Sequence, residues 1–200
     1  MLPDGPIVKN VWEQLINYSD QDKILIDCST IDVETSLEIQ KLAKGKGIKT
    51  LDAPVSGGVM GADAGTLTFM VGGSFDTYST YKYLFDIMGK NSILCGEIGA
   101  GQSAKICNNM LLASTMIAVG ESFNLANNLG LNLEKLFEVL STSSGSCWAI
   151  NNYCPYKGIG PDSPADKNYN GGFATSLMNK DLSLAIAAAK STGTKVNYGL

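Results

Sequence analysis

A side chain that could carry a proton transfer and an amide that could bind beside it lie one helical turn apart in this sequence. Lys105 and Asn109 are four residues apart in a segment predicted to be helical, so both project from one face of that helix. A lysine and an amide near the start of a helix are most often exposed to solvent. Their position just after a predicted domain boundary, where ligand sites are frequent, makes this pair the best candidate for chemistry.

The absence of histidine narrows that chemistry. The chain has 200 residues and no histidine, which excludes serine–histidine and cysteine–histidine nucleophile pairs, imidazole bases and histidine-containing zinc sites. Proton transfer must therefore use Lys, Tyr, Asp, Glu or Cys, and we expect no metal site.

A glycine-containing segment follows the second predicted strand. Residues 52–58 read Asp-Ala-Pro-Val-Ser-Gly-Gly, and ligands collect at the carboxyl ends of strands in open α/β sheets. The segment is as compatible with a carboxylate site as with a tight loop that binds nothing. In the second interpretation Asp52 accepts hydrogen bonds within the loop.

A second glycine segment matches a dinucleotide fingerprint. Residues 99–104 fit the pattern GxGxxA, but a fingerprint needs a further strand, ending in an acidic residue about 20 to 30 residues on. Here the predicted helix continues past residue 125. We therefore interpret the segment as an interdomain turn whose glycines allow close approach of the backbone.

Two other groups stay ambiguous on the sequence alone. Lys180 and Asp181 lie in a predicted helix, and nothing local distinguishes them from an exposed charged pair. Trp148, Tyr169 and Phe173 are large apolar residues in a polar segment. They belong either to a binding loop or to an oligomer contact.

The predicted elements place these motifs in an α/β part followed by helices. Strand and helix patterns alternate up to about residue 96, which predicts a mainly parallel sheet with room for one antiparallel edge strand after Asp52. The helix over 32–44 is predicted to bury Val33, Leu37 and Leu42. The other predicted helices of this part cover 7–17 and 75–88, and its strands cover 23–28, 49–52, 66–71 and 92–95. We expect later helices over 102–129, 133–140 and 176–190, with loops over 56–65 and 141–172.

Composition excludes several classes of partner. The net charge of -4 and the lack of a basic run argue against nucleic acid. The most apolar stretch, 110–119, is far shorter than the roughly 20 residues that span a membrane. Five cysteines without a CxxC pair fit the reduced thiols of an intracellular protein.

Three motifs together resemble those of the β-hydroxyacid dehydrogenase family. They are DAPVSGG at 52–58, GxGxxxKxxNN at 99–109 and KDL at 180–182, and the resemblance covers essentially the whole chain. Residues 154–178 look most like the 3-hydroxyisobutyrate dehydrogenases of that family. The resemblance implies an α/β fold: the C-terminal part of a Rossmann-type dinucleotide-binding domain over 1–98, then part of an all-helical domain over 99–200. It also implies oxidation of 3-hydroxyisobutyrate to methylmalonate semialdehyde with NAD, in valine catabolism.

The same resemblance implies roles for individual residues and partners. Lys105 is the general acid/base, and Asn109 orients the substrate beside it. Contacts to the substrate carboxylate come from Ser56, Gly57 and Gly58. The residues implied to border the cofactor are Leu2, Pro3, Ile7, Thr30 and Lys180, with Asp181 beside them. The implied partners are a small hydroxy acid and further copies of the chain in a dimer or tetramer. The implied location is the mitochondrial matrix for a eukaryotic protein and the cytoplasm otherwise.

The chain departs from the family pattern at both ends. Family members carry a strand, a GxGxxG turn and a helix before the position that corresponds to Met1, and further helices after the position of Leu200. We therefore expect this chain by itself to bind NAD poorly or not at all. The choice between NAD and NADP stays open. Two alternative functions also stay open: a reductase of tartronate or succinate semialdehyde, and a non-catalytic remnant that only forms oligomers.

Overall fold

The computed structural model describes residues 1–197. Contacts between residues divide it into two compact units. The sheet unit comprises Met1–Cys107 and Ser183–Thr194, and the helical unit comprises Asn108–Leu182 with the residues from Lys195. This division falls inside a helix, and the domain boundary near residues 96–101 stays a prediction.

The sheet unit alternates helices and strands. A side-chain carboxylate or hydroxyl at Asp4, Asp32 and Ser74 accepts a backbone N–H in the first turn of the helix that follows it, which fixes the starts of α1, α2 and α4. The elements in chain order are α1 (Gly5–Tyr18), β1 (Ile24–Asp27), α2 (Val33–Gly45), β2 (Lys49–Asp52), β3 (Val55–Ser56), α3 (Gly58–Asp63), β4 (Leu67–Gly72), α4 (Phe75–Met88) and β5 (Gly89–Gly96).

The sheet is mixed. β1 and β2 are parallel, with Asp27 opposite Asp52. β4 runs antiparallel to β2 and β3, and β5 runs parallel to β4. The antiparallel turn that the short link after Asp52 allowed is therefore present. The expectation that the antiparallel strand lies at the edge is wrong, because β5 pairs with the other side of β4.

Two apolar clusters form the core of this unit. One joins α1 and α2 through Val8, Trp12, Ile16, Ile39 and Ala43. The other packs α4 on the strands, where the rings of Phe69 and Phe85 lie 5.0 Å apart. These clusters fix the faces that the helices turn toward the sheet.

The buried face of α2 differs from the predicted one. Leu37 and Leu42 are each 45% exposed, whereas Ser36, Ile39 and Gln40 are buried. Gln40 Nε2 donates to Ser36 Oγ at 3.2 Å, so two polar residues are bonded to each other on the inner face. A prediction based on apolar spacing selects the wrong face when the inner face contains such a pair.

The helical unit contains the later helices. They are α5 (Ala100–Asn128), α6 (Leu133–Thr142), α7 (Trp148–Tyr153), a 3-10 helix (Pro164–Lys167) and α8 (Thr175–Thr192), of which α5 begins and α8 ends in the sheet unit. Asn132 caps α6 as predicted. The core of the helical unit is formed by Val119, Phe123, Ala149, Ile150 and Cys154. Within residues 1–197, no helix has the length and apolar character needed to cross a membrane.

Three short helices and the two-residue strand β3 were not predicted. α3 lies in the expected loop over 56–65, and α7 and the 3-10 helix lie in the expected loop over 141–172. Each has six residues or fewer, which is under two helical turns and gives no periodic signal in the sequence.

Candidate active site

Asp52 fixes the start of α5. Its side chain is fully buried at the end of β2, and it accepts hydrogen bonds from the backbone N–H of Gly99 at 2.8 Å and of Gln102 at 3.0 Å. Gln40 Nε2 donates a third bond at 3.3 Å. The N–H groups at a helix start lack partners within the helix and favour negative charge. Asp52 is thus a structural acceptor, but these bonds come from the start of α5 and from α2 and not from the loop over 52–58.

The glycines of the 99–104 segment serve backbone packing. A Cβ added to Gly101 would overlap the carbonyl oxygen of Met70 and would lie 2.7 Å from Asp52 Oδ2. Gly99 has φ +88°, a conformation that side chains disfavour. The first turn of α5 therefore lies directly against β2 and β4, in agreement with the interpretation of this segment as a close-packed turn.

The first part of the motif over 52–58 pairs with β4 in the sheet, and its two glycines follow that pairing. The amide of Met70 donates to the carbonyl of Pro54 at 2.9 Å, and Ser56 is opposite Thr68 in the β3–β4 pair. Gly57 and Gly58 follow with φ +133° and +60° and are exposed. A Cβ at Gly58 would meet nothing within 4 Å. A half-buried hydroxyl followed by exposed, unhindered backbone is a surface that a carboxylate can approach.

The loop after β1 is held from several sides. Ser29 donates its N–H to Asp27 Oδ1 at 2.9 Å, and its Oγ accepts the N–H of Leu2 at 2.8 Å. Thr30, a predicted cofactor contact, follows it and is half-buried. Asp27 is buried, and that burial raises the pKa of its carboxyl, with hydrogen bonds from Ser29 opposing the rise. Its Oδ2 has no hydrogen-bond partner among the described residues.

Leu2, Pro3 and Ile7 lie before and within the first turn of α1. Leu2 is half-buried and packs against the core cluster of α1 and α2. Ile7 is exposed and lines a surface depression of about 300 Å³ together with Pro6 and Asn10. The structure thus links Leu2 through Ser29 to the Thr30 loop, residues 28–32 between β1 and α2. The backbone N–H of Ile7 bonds to the side chain of Asp4, which caps α1.

Lys105 and Asn109 lie one turn apart on α5. Lys105 is 7% exposed and Asn109 is 2% exposed, so neither has the solvated position that is usual for such residues. The described contacts assign Lys105 to the sheet unit and Asn109 to the helical unit. Lysine is rarely buried this deeply in a protein, which makes this lysine and the neighbouring amide candidates for function.

Asn109 is bonded to the KDL motif. Its Nδ2 donates to Asp181 Oδ2 at 2.5 Å, and its Oδ1 accepts from Asn108 Nδ2 at 2.9 Å. Asp181 is 3% exposed, and Lys180 Nζ approaches its Oδ1 at 3.4 Å as an ion pair. Lys180 and Asp181 therefore do not form an exposed charged pair. Sequence reasoning missed this because the partner of Asp181 lies 72 residues away.

A cavity of about 490 Å³ lies within the helical unit. Its lining is mostly apolar and includes Trp148, Tyr153, Tyr169 and Phe173. The rings of Trp148 and Tyr153 stack at 5.4 Å, and the Tyr153 hydroxyl accepts the N–H of Phe173 at 3.1 Å. The aromatic residues of the polar segment thus border a cavity, which supports the binding-loop interpretation over the oligomer contact.

Gln102 is the residue that the sequence reasoning missed. It is fully buried, and its side chain bonds to both neighbours of Thr30. The available signal was its position three residues before Lys105, on the same face of α5. Eight of the predicted site residues belong to the sheet unit, and Asn109, Lys180 and Asp181 belong to the helical unit.

Comparison with known proteins assigns the chain to a family. Residues 1–96 match the family model described as the NAD binding domain of 6-phosphogluconate dehydrogenase. Residues 99–199 match the model described as NAD-binding of NADP-dependent 3-hydroxyisobutyrate dehydrogenase. Both models describe NAD-binding domains, which confirms NAD as the expected cofactor and the Rossmann-type α/β part followed by helices.

Individual relatives agree with these matches. A probable 3-hydroxyisobutyrate dehydrogenase of Mycobacterium tuberculosis is 45% identical over 199 residues, which cover 100% of this chain and 68% of the relative. A mouse relative, named 3-hydroxyisobutyrate dehydrogenase, mitochondrial, is 48% identical over 100% of this chain and 60% of its own length. The solved structure of M. tuberculosis 3-hydroxyisobutyrate dehydrogenase with L-serine superimposes with a TM-score of 0.95 at 45% identity, over 100% of this chain and 68% of that one. The chain therefore belongs to the β-hydroxyacid dehydrogenase family of NAD-dependent oxidoreductases.

Proposed function

We propose that this protein oxidises 3-hydroxyisobutyrate to methylmalonate semialdehyde with NAD, as a step of valine catabolism. The relatives that match over the whole chain are named for this substrate. The observation that carries the proposal is the burial of Lys105 and Asn109 one turn apart on α5. No other lysine is buried among the described residues.

Lys105 is the proposed general acid/base. NAD, when bound, accepts the hydride that leaves the hydroxyl-bearing carbon. Lys105 Nζ accepts the hydroxyl proton during oxidation and returns a proton during reduction. A positioned side chain of this kind contributes typically about 10²- to 10⁴-fold to the rate. In a chain without histidine, a lysine is one of the few bases available.

The remaining residues hold the substrate. Ser56, with the backbone of Gly57 and Gly58, is proposed to contact the carboxylate, because both glycines are exposed and the space beside Gly58 is open. Asn109 is proposed to donate its second Nδ2 hydrogen to a substrate oxygen. Its bond to Asp181 fixes the amide beforehand, which lowers the cost of ordering it on binding.

Cofactor contacts are proposed for each unit by itself: at the carboxyl end of β1 in the sheet unit and at the KDL motif in the helical unit. The residues proposed for this contact are Leu2, Pro3, Ile7, Thr30 and Lys180, with Asp181 beside them. The half-buried Thr30 and the unpartnered Asp27 Oδ2 lie at that end of β1. Ligands collect at the carboxyl ends of parallel strands, so the polar groups present fit a nicotinamide cofactor there.

The test is a pair of matched lysine variants of the complete gene product. We expect Lys105→Met to lower kcat/KM for 3-hydroxyisobutyrate by about 10³-fold, because the proton acceptor is lost. Lys41→Met, at an exposed position on α2, serves as the control and is expected to retain full activity. Activity of Lys105→Met within tenfold of the wild type contradicts the proposed role. Faster turnover of tartronate or succinate semialdehyde than of 3-hydroxyisobutyrate contradicts the proposed substrate.

We also propose that the protein forms homo-oligomers and, in a eukaryotic source, lies in the mitochondrial matrix. Large apolar side chains are exposed along α5, among them Leu111, Ile117 and Leu125, and such surface favours association. The mouse relative is named mitochondrial. Light scattering of the purified protein tests the first proposal, and cell fractionation tests the second.

A further inference from the structure

The terminal amide of Gln102 forms hydrogen bonds with the backbone on both sides of Thr30. Gln102 Nε2 donates to the carbonyl of Ser29 at 2.8 Å, and Gln102 Oε1 accepts the N–H of Ile31 at 3.1 Å. The side chain is 0% exposed, so water does not compete for either bond. One amide group therefore satisfies the donor and the acceptor that flank Thr30.

The two residues bonded to Gln102, Ser29 and Ile31, have further contacts of their own. Ser29 and Ile31 are buried, and Ser29 is also bonded to Asp27 and Leu2. Thr30 between them is half-buried. The backbone around Thr30 is thus held by buried bonds, while Thr30 itself stays partly accessible.

Gln102 belongs to a rigid frame. Its own N–H donates to Asp52 Oδ2 at 3.0 Å, which fixes the first turn of α5 to the end of β2. Lys105 follows Gln102 by three residues on the same helix. The loop after β1, the end of β2 and the helix that carries Lys105 therefore share one set of buried hydrogen bonds.

We propose that Gln102 is a positioning residue that holds the Thr30 loop in the conformation that binds the cofactor. The proposal rests on the proposed function, because that function makes Thr30 a cofactor contact. Loss of the Gln102 amide weakens NAD binding, since part of the binding energy must then order the loop. It leaves the proton transfer by Lys105 little changed at saturating NAD.

Only an amide side chain meets this requirement at Gln102. A carboxylate accepts hydrogen bonds but donates none, so its second oxygen faces the carbonyl of Ser29. A methionine of similar length offers neither a donor nor an acceptor of comparable strength. Gln102→Glu therefore loses the donor to Ser29, and Gln102→Met loses both hydrogen bonds, while each variant keeps a side chain of similar shape.

The experiment compares these variants with Gln40→Met in the complete gene product. Gln40 is also a fully buried glutamine of the sheet unit, but its bonds go to Ser36 and Asp52 rather than to the Thr30 loop. The first measurement is hydrogen exchange of the Ile31 amide without cofactor, relative to the Ile39 amide within α2. The second is the NAD dissociation constant by fluorescence titration, together with kcat at saturating NAD.

We expect both Gln102 variants to speed Ile31 exchange relative to Ile39 by tenfold or more, which corresponds to the loss of about one hydrogen bond. We expect them to weaken NAD binding about tenfold with kcat changed less than threefold, and Gln40→Met to do neither. General destabilisation speeds both amides equally and contradicts the proposal. An unchanged exchange rate of the Ile31 amide in the Gln102 variants also contradicts it, as does an equal increase of that rate in Gln40→Met. A wild-type protein that neither binds NAD nor turns over contradicts the proposed function, and the Ile31 exchange then decides the positioning role by itself.

Discussion

Replacing Asp52 with asparagine removes one of the two anchors of α5. The carboxylate accepts the N–H of Gly99 with one oxygen and the N–H of Gln102 with the other. An asparagine keeps one acceptor and presents an NH₂ group to the other amide. A buried N–H left without a partner costs about 1–3 kcal/mol, and the lost charge at a helix start costs up to about 2 kcal/mol more. We expect Asp52→Asn to lower the free energy of unfolding of the sheet unit by about 3 kcal/mol.

Urea unfolding measures this change. Trp12 is buried in the sheet unit and reports on it by fluorescence once Trp148 of the helical unit is replaced by phenylalanine. With a slope of about 2 kcal/mol per molar urea, a loss of 3 kcal/mol lowers the unfolding midpoint by about 1.5 M. The control is Asp32→Asn, the same change at the start of α2. It keeps a good capping oxygen for the N–H of Thr35 and is expected to cost only a few tenths of a kcal/mol.

The comparison of the two variants decides the argument. A midpoint shift for Asp52→Asn below about 0.5 M, at this slope, means that the buried hydrogen bonds to α5 contribute little. Equal shifts for Asp52→Asn and Asp32→Asn mean that helix capping in general, rather than the double anchor, accounts for the loss. Either result refutes the reasoning given for α5.

Two further predictions concern the same unit. Gly101→Ala forces a Cβ against Met70 and Asp52 and is expected to destabilise the protein by more than about 2 kcal/mol. At Gly120 a Cβ meets nothing within 4 Å, so Gly120→Ala is expected to stabilise α5 by up to about 1 kcal/mol. Similar melting temperatures for the two variants contradict this prediction. Burial raises the pKa of Asp27 in the folded protein, so its contribution to stability is present at acidic pH and is lost as pH rises through that pKa. Asp27→Asn removes this loss, and its urea midpoint relative to wild type is expected to be higher at pH 7 than at pH 4; a lower relative midpoint at pH 7 contradicts the burial argument.

Local signals predicted the regular elements well. α4 begins with a serine cap, and β2 is a short segment between the glycines that end α2 and the Ala-Pro that follows Asp52. The structure gives both elements the predicted bounds, 75–88 and 49–52. The cap of α6 at Asn132 was equally readable. These signals depend on neighbours in sequence, which is why the sequence alone reveals them.

Tertiary contacts determined what the sequence did not reveal. The inner face of α2 contains Ser36 and Gln40, whose burial depends on their bonding to each other. Asp181 resembles a surface acid until Asn109, from a distant helix, is placed against it. Gln102 resembles a spacer between motif residues until the Thr30 loop closes on it. Asp181 and Gln102 are buried against partners far away in sequence, whereas Ser36 and Gln40 are four residues apart and bond across one turn of α2.

Because α5 is long, a small tilt displaces its two ends by very different distances. A 29-residue helix extends about 43 Å at 1.5 Å per residue. If it tilts by about 5° about Ala100, its far end at Asn128 moves by nearly 4 Å, whereas Lys105 moves by only about 0.7 Å. Misplacement by about 1 Å can cost a hundredfold in rate. Because Lys105 lies close to the anchored end of α5, a tilt of this size would leave it within an ångström of its position.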